Sequence, residues 1–271
     1  MSVLLAAALA YAARGWAVLP LAPQSKRPAG RVAPHGVKDA TTEERAIRAW
    51  LANEPSANIG LATGLFFDVL DIDGPDGWLS VAHAVEANGC LPSVPCSLTP
   101  GDGAHYLFEP TGRGSRTAFL PGLDWKGRGG YIVAPPSAHP SGGVYEWAVE
   151  PKDVPLQPAP TWLTAMLDRC APSRATSALG GAPRGGAYAR AALERVCGRV
   201  TLASQGTRNA TLNSSAYSLA QFVATRQLSV DEVIDGLLVA ASAVGLEIQE
   251  SRRTIASGLR AGLAHPRELA R

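Results

Sequence analysis

Cysteine is scarce in this chain and poorly spaced for chemistry. Only four occur in 271 residues, at Cys90, Cys96, Cys170 and Cys197. Cys90 and Cys96, the nearest two, have five residues between them, which is not the close pair that a zinc knuckle uses. No zinc is expected, and reduced thiols in a cytoplasm are the plain reading. Also missing is any charge-free apolar run of about 18 residues, so no transmembrane helix and no membrane partner are expected. The Ala-rich start, Ser2 to Ala13, has no basic region ahead of its apolar residues. It reads as an ordinary first helix rather than a signal peptide. No internal repeat is evident.

What is present points to a folded protein. At 46% hydrophobic and 18% charged, the chain can bury a sizeable core in one large domain or two ordinary ones. The net charge of +2 hides an asymmetry. Residues 1–150 carry 11 Lys and Arg against 14 Asp and Glu, whereas residues 151–271 carry 14 against 9. Surplus acid in the first part suits metal ligation, and the mildly basic second part is compatible with nucleic-acid contact.

The pattern predicts an α+β fold. A helix over Ser2–Arg14 precedes a strand over Trp16–Leu21, and Thr41 or Thr42 is placed to cap a helix ending at Leu51. Short strands follow near Asn58–Ala62, Phe66–Ile72, Ser97–Thr99, Tyr106–Phe108, Leu123–Lys126, Tyr131–Val133 and Val144–Trp147. A helix near Trp78–Asn88 lies between two of them. Four prolines in residues 151–160 mark a connector, Thr161–Cys170 reads as a helix, and residues 171–187 read as a flexible linker. Helices near Tyr188–Cys197, Asn209–Thr225, Val230–Val244 and Ser251–Leu263 make a small all-α bundle. Ser229 and Glu232 have the spacing of a capping box. The expected domains are 1–170 and 188–271.

The densest chemistry lies in Asp68-Val69-Leu70-Asp71-Ile72-Asp73. In a strand, residues i and i+2 share a face, so Asp71 and Asp73 project together and Asp68 points away. Two adjacent carboxylates repel unless a cation joins them, and oxygen-only ligands suit Mg²⁺ or Mn²⁺ with a phosphate. His105 follows the Gly-rich turn Pro100-Gly101-Asp102-Gly103, where backbone can approach a ligand and an imidazole can donate to a phosphate. A structural histidine is the alternative. Asp124 and Lys126 alternate in a strand that runs into a Gly-rich loop carrying Arg128. They read either as a third acid with two phosphate-binding cations or as a hairpin with a solvated basic pair.

The ordered set of acidic pair, histidine and single acid resembles the three motifs of the archaeo-eukaryotic primase superfamily. More closely, it is similar to the bifunctional primase–polymerase (prim-pol) domain of phage and plasmid replication proteins. Supporting words run across residues 6–147, among them Gly15-Trp16-Ala17-Val18-Leu19-Pro20, Asn58-Ile59-Gly60-Leu61-Ala62-Thr63-Gly64 and Ala134-Pro135-Pro136-Ser137. The resemblance implies an RRM-like catalytic core with Asp71, Asp73 and Asp124 as catalytic ligands of two Mg²⁺ or Mn²⁺ ions. It implies nucleotide binding by His105, Lys126, Arg128 and Lys26. Asp102 and Asp68 depart from the family's usual residues. The C-terminal helices, with Gly206-Thr207-Arg208-Asn209 and Pro266-Arg267, resemble a small domain that follows prim-pol domains. There Arg208 and Asn209 touch nucleic acid or simply start a helix.

The implied activity is DNA primase and polymerase: nucleotidyl transfer from NTPs or dNTPs on a single-stranded DNA template. A replicative helicase, fused or associated, is an expected partner. Two rivals remain open, a metal-dependent nuclease or phosphoesterase and a non-catalytic DNA-binding replication module.

Overall fold

The computed structural model describes residues 2–169 and 187–264. The expected linker, Cys170 and Pro266-Arg267 lie outside the described residues, apart from Ala187, which opens a helix. The fold is α+β, with sheets in the N-terminal part and helices after them.

Helix α1 (Val3–Ala13) starts where the Ser2 hydroxyl accepts the Leu5 amide hydrogen, and it turns out of the helix at Gly15 (φ +83°). Strand β1 (Val18–Leu21) leads through a long loop to α2 (Glu44–Asn53), then to β2 (Asn58–Ala62) and β3 (Asp68–Ile72). The expected cap on α2 differs in detail. Glu43 holds the cap position without a side-chain bond, and Thr41 Oγ1 instead accepts the Glu43 N–H one step earlier. After α3 (Gly74–Asn88) come β4 (Cys96–Thr99), β5 (Gly103–Phe108), β6 (Arg116–Leu120), β7 (Leu123–Lys126), β8 (Tyr131–Val133) and β9 (Glu146–Val149). Helix α4 (Thr161–Asp168) closes this part. The remaining helices are α5 (Ala187–Thr201), α6 (Arg208–Ala224), α7 (Val230–Ala243) and α8 (Ile248–Ala264). No helix among the described residues is long and apolar enough to cross a membrane.

Contacts divide the described chain into two units. One comprises residues 2–73 and 92–169, and the other residues 74–91 and 187–264. The first holds a three-stranded sheet in the order β1-β2-β8 and a six-stranded sheet in the order β6-β7-β3-β5-β4-β9, with antiparallel pairing between named strands. Helices α1 and α2 cover β1, β2 and one face of β3 through Ala8, Tyr11, Trp16, Ile47, Ile59, Phe67 and Val69.

The second unit is a helical bundle that recruits α3 from the middle of the sequence. Ala82 of α3 lies in one apolar cluster with Leu212, Leu219, Leu237 and Leu259. Val230 N–H donates to Glu86 Oε2, and Arg226 donates to the Ala87 carbonyl. The capping box at Ser229 and Glu232 is formed. Helices α6 and α8 lie unusually close: a Cβ on Gly258 would fall 2.4 Å from the Asn213 carbonyl, and one on Gly262 would fall 2.5 Å from that of Tyr217.

Candidate active site

The central strand of the larger sheet sets out the site. Asp71 on β3 pairs across the ladder with His105 on β5 and, on its other side, with Asp124 on β7. His105 in turn pairs with Ser97 on β4. Directly opposed residues in a sheet share a face, so Asp124, Asp71, His105 and Ser97 form one row across four strands. Asp73 follows Asp71 at the strand's end on the same face, its N–H bound to the Gly122 carbonyl at 2.8 Å.

Asp68 points the other way, as alternation requires. Its Oδ2 accepts bonds from Thr111 N–H (2.8 Å) and Oγ1–H (2.6 Å), and it takes no part in the acidic cluster. Asp102 occupies a left-handed turn position (φ +59°) between β4 and β5, a conformation that Asp tolerates better than most residues. It is exposed and does not line the cleft. Gly103 is required beside it, because a Cβ there would sit 2.2 Å from the Ile72 carbonyl oxygen.

Among the described residues, Asp71, Asp73 and Asp124 form the one cluster whose carboxylate oxygens converge, all within 4.8 Å of one another. Asp71 is only 9% exposed. Burial raises the carboxyl pKa of Asp71, against the opposing charge of Lys126. Burial also raises that of Asp73, and the neighbouring Asp71 charge adds to it. Lys126 Nζ lies 2.6 Å from Asp124 Oδ2 and 3.3 Å from Asp71 Oδ2. Its burial favours the neutral amine, but these two acids outweigh that and hold it charged. The other Asp124 oxygen, Oδ1, accepts the Ala118 N–H at 2.7 Å. Such a donor set, all carboxylate with acid in excess over its touching cation, fits a hard divalent ion.

His105 is 5% exposed, and burial pushes its pKa down to about 3, so its ring is neutral. Its Nδ1 faces Ser97 Oγ at 3.2 Å, its Nε2 faces Asp71 Oδ1 at 3.4 Å, and the Tyr145 ring stacks against it at 6.0 Å. His105, Asp71 and Tyr145 border an open cleft of about 420 Å³ that Lys26, Asp73, Lys126 and Tyr131 also line, with Ser97 buried behind His105. The Tyr131 hydroxyl donates to the Lys26 carbonyl at 3.0 Å and ties the lysine's loop to the cleft wall.

A row of acids beside a neutral histidine and two lysines, on the face of an antiparallel sheet, is a layout for holding phosphate and metal together. Residues 8–162 match the protein family described as bifunctional DNA primase/polymerase, N-terminal. The match covers more than half of the chain. The chain belongs to this primase/polymerase family. No curated protein matches it.

Within the prim-pol domain, six of the seven residues singled out in the sequence meet at this site: Asp71, Asp73, Asp124, His105, Lys126 and Lys26. Arg128 does not. It is exposed, its guanidinium donates to the Gly112 carbonyl at 2.5 Å, and it is absent from the cleft lining. Its backbone is fixed by Gly64 (φ +93°), where a Cβ would lie 2.1 Å from Arg128 Cα. In the helical unit, at the start of α6, the Asn209 side chain donates to Glu250 of α8 and Arg208 Nε donates to the Ala203 carbonyl. Sequence reasoning missed Ser97 and Tyr145. Ser97 is a plain strand serine whose register opposite His105 gives it a role, and Tyr145 precedes β9.

Proposed function

We propose that the prim-pol domain makes and extends primers on single-stranded DNA, joining nucleotides from NTPs or dNTPs during phage or plasmid replication. The observation that carries this reading is the convergence of Asp124 with Asp71 and Asp73, the latter two lining a cleft that His105, Lys126 and Lys26 also border. Two Mg²⁺ or Mn²⁺ ions held by the three acids would supply Lewis acidity for the primer 3′-hydroxyl and charge stabilisation for leaving pyrophosphate.

The chain's own groups account for the rest by position and charge. Asp71, buried and flanked by paired strands, has little freedom and presents its oxygens without reorganisation. Lys126 offsets part of the acids' charge before nucleotide arrives and lines the cleft where a phosphate would sit. His105, neutral within the sheet, offers an N–H rather than a charge to a phosphate oxygen. Lys26 lines the same cleft from the loop that follows β1. Arg128 stands outside the cleft lining, and gripping the triphosphate therefore falls to Lys126, His105 and Lys26.

The test is direct. The full chain is incubated with single-stranded DNA, NTPs or dNTPs and Mn²⁺ or Mg²⁺, with and without a primer. New strands that vanish with a chelator support the proposal. Shortened DNA supports a nuclease, and binding without either product supports a non-catalytic module. Template affinity is expected to fall steeply as salt rises, because phosphate contacts release counterions.

A further inference from the structure

We propose that Ser97 is a positioning residue that fixes His105 as the Nε2–H tautomer and so aims that N–H into the cleft. Both side chains are buried, Ser97 fully and His105 to within 5%. They are directly opposed in the β4–β5 ladder, with Ser97 Oγ 3.2 Å from Nδ1. A hydroxyl can donate or accept, so this contact alone leaves the ring proton on either nitrogen. The far edge biases the ring, and the hydroxyl completes the choice. Nε2 faces the Asp71 carboxylate oxygen at 3.4 Å, and a lone pair pointing at a carboxylate is repelled whereas an N–H is attracted. Nε2 therefore carries the hydrogen, Nδ1 is bare, and Ser97 donates to it. Tyr145, stacked at an interplanar angle of 21°, holds the ring plane, leaving Ser97 to set which edge faces the cleft.

The consequence for function rests on the reading of the cleft as a triphosphate site. With Nε2–H in place, His105 faces Asp71 as a donor before nucleotide enters and can donate to a phosphate oxygen once it does. With the proton on Nδ1, the same ring would present a lone pair to both an acid and a phosphate. Serine is suited to the task because its hydroxyl rotates to donate, whereas a carboxylate or carbonyl at this position would impose the opposite tautomer.

Long-range proton–nitrogen correlation on the ¹⁵N-labelled full chain reads the tautomer without any substitution, with His105 assigned by the loss of its signals in His105→Asn. The expected result is a bare Nδ1 and a protonated Nε2. The reverse tautomer, or a ring protonated at both nitrogens, overturns the proposal. Ser97→Ala is then expected to mix the tautomers and raise KM for the incoming nucleotide about tenfold with kcat largely kept, as for other groups that orient a site residue through a hydrogen bond. Ser97→Thr, which keeps the hydroxyl, restores both. An unchanged tautomer and KM in a folded Ser97→Ala protein also overturns it. Should the wild-type chain make no strands, the triphosphate reading fails, while the tautomer and its dependence on Ser97 still read out by themselves.

Discussion

Asp71 gathers the site because three things coincide at one residue: a central strand, a face shared with His105 on one side and Asp124 on the other, and near-complete burial. The alternation Asp71-Ile72-Asp73 and the exclusion of Asp68 were legible in the sequence, since a period of two is local information. The pairing of Asp71 with Asp124, 53 positions away, came from resemblance, because register between distant strands is not written in either strand. Ser97 was illegible for the same reason. At this scale the structure also fixes a residue far from the acids. The Tyr11 hydroxyl donates to the Pro135 carbonyl at 2.7 Å and accepts from Trp147 Nε1–H at 2.9 Å. Burial pushes its pKa up to about 12. A phenol whose folded pKa exceeds its unfolded value stabilises the fold below the unfolded value and loses that contribution as pH rises through the folded one. Stability is therefore expected to drop between about pH 10 and 12, by on the order of 2–3 kcal/mol from this group. Tyr145, also raised to about 12, titrates in the same window. Denaturant unfolding across that range checks it, and Tyr11→Phe should both flatten the drop and cost about 1–2 kcal/mol at neutral pH by leaving Trp147 and Pro135 unpaired. A flat profile in the wild-type chain would count against the burial of these phenols.

Elements were legible where their pattern was strong. Strands β2, β7 and β8 and the bundle helices match the expected positions closely, and the capping box marks the start of α7. Strand β6 was missed. Arg116-Thr117-Ala118-Phe119-Leu120 is a half-exposed edge strand with a register shift against β7, and Ala118 sits at φ +48°, so it has neither clean alternation nor burial to signal it. That irregularity is useful, since it turns the Ala118 N–H onto Asp124. Close approach of elements gives two further predictions. Gly103→Ala pushes a Cβ into the Ile72 carbonyl between β5 and β3, and is expected to reduce stability and nucleotide addition together. Gly258→Val forces α8 off α6 and should cost about 1–3 kcal/mol in denaturant unfolding. Wild-type stability in either variant would contradict the packing described.

At the scale of the molecule, the division of the chain was only partly legible. Amphipathic spacing marks α3 as a helix but does not say which core it joins. In the fold the chain passes from Asp73 straight into α3, whose Ala82 belongs to the bundle's apolar cluster. Cutting the chain after Ala171 therefore removes the helices that α3 packs against. The truncated protein is expected to bind a hydrophobic dye and to unfold at lower denaturant than the full chain, whereas equal dye binding and stability would show that α3 does not need the bundle. Loss of priming in such a fragment would thus mix a missing domain with an exposed helix, and point substitutions give the cleaner answer. The most direct is primer extension by the full-length Asp71→Asn, Asp73→Asn double variant, with its fold verified by circular dichroism and unfolding. The account predicts synthesis at background with the fold retained, and wild-type synthesis by that folded variant would contradict it.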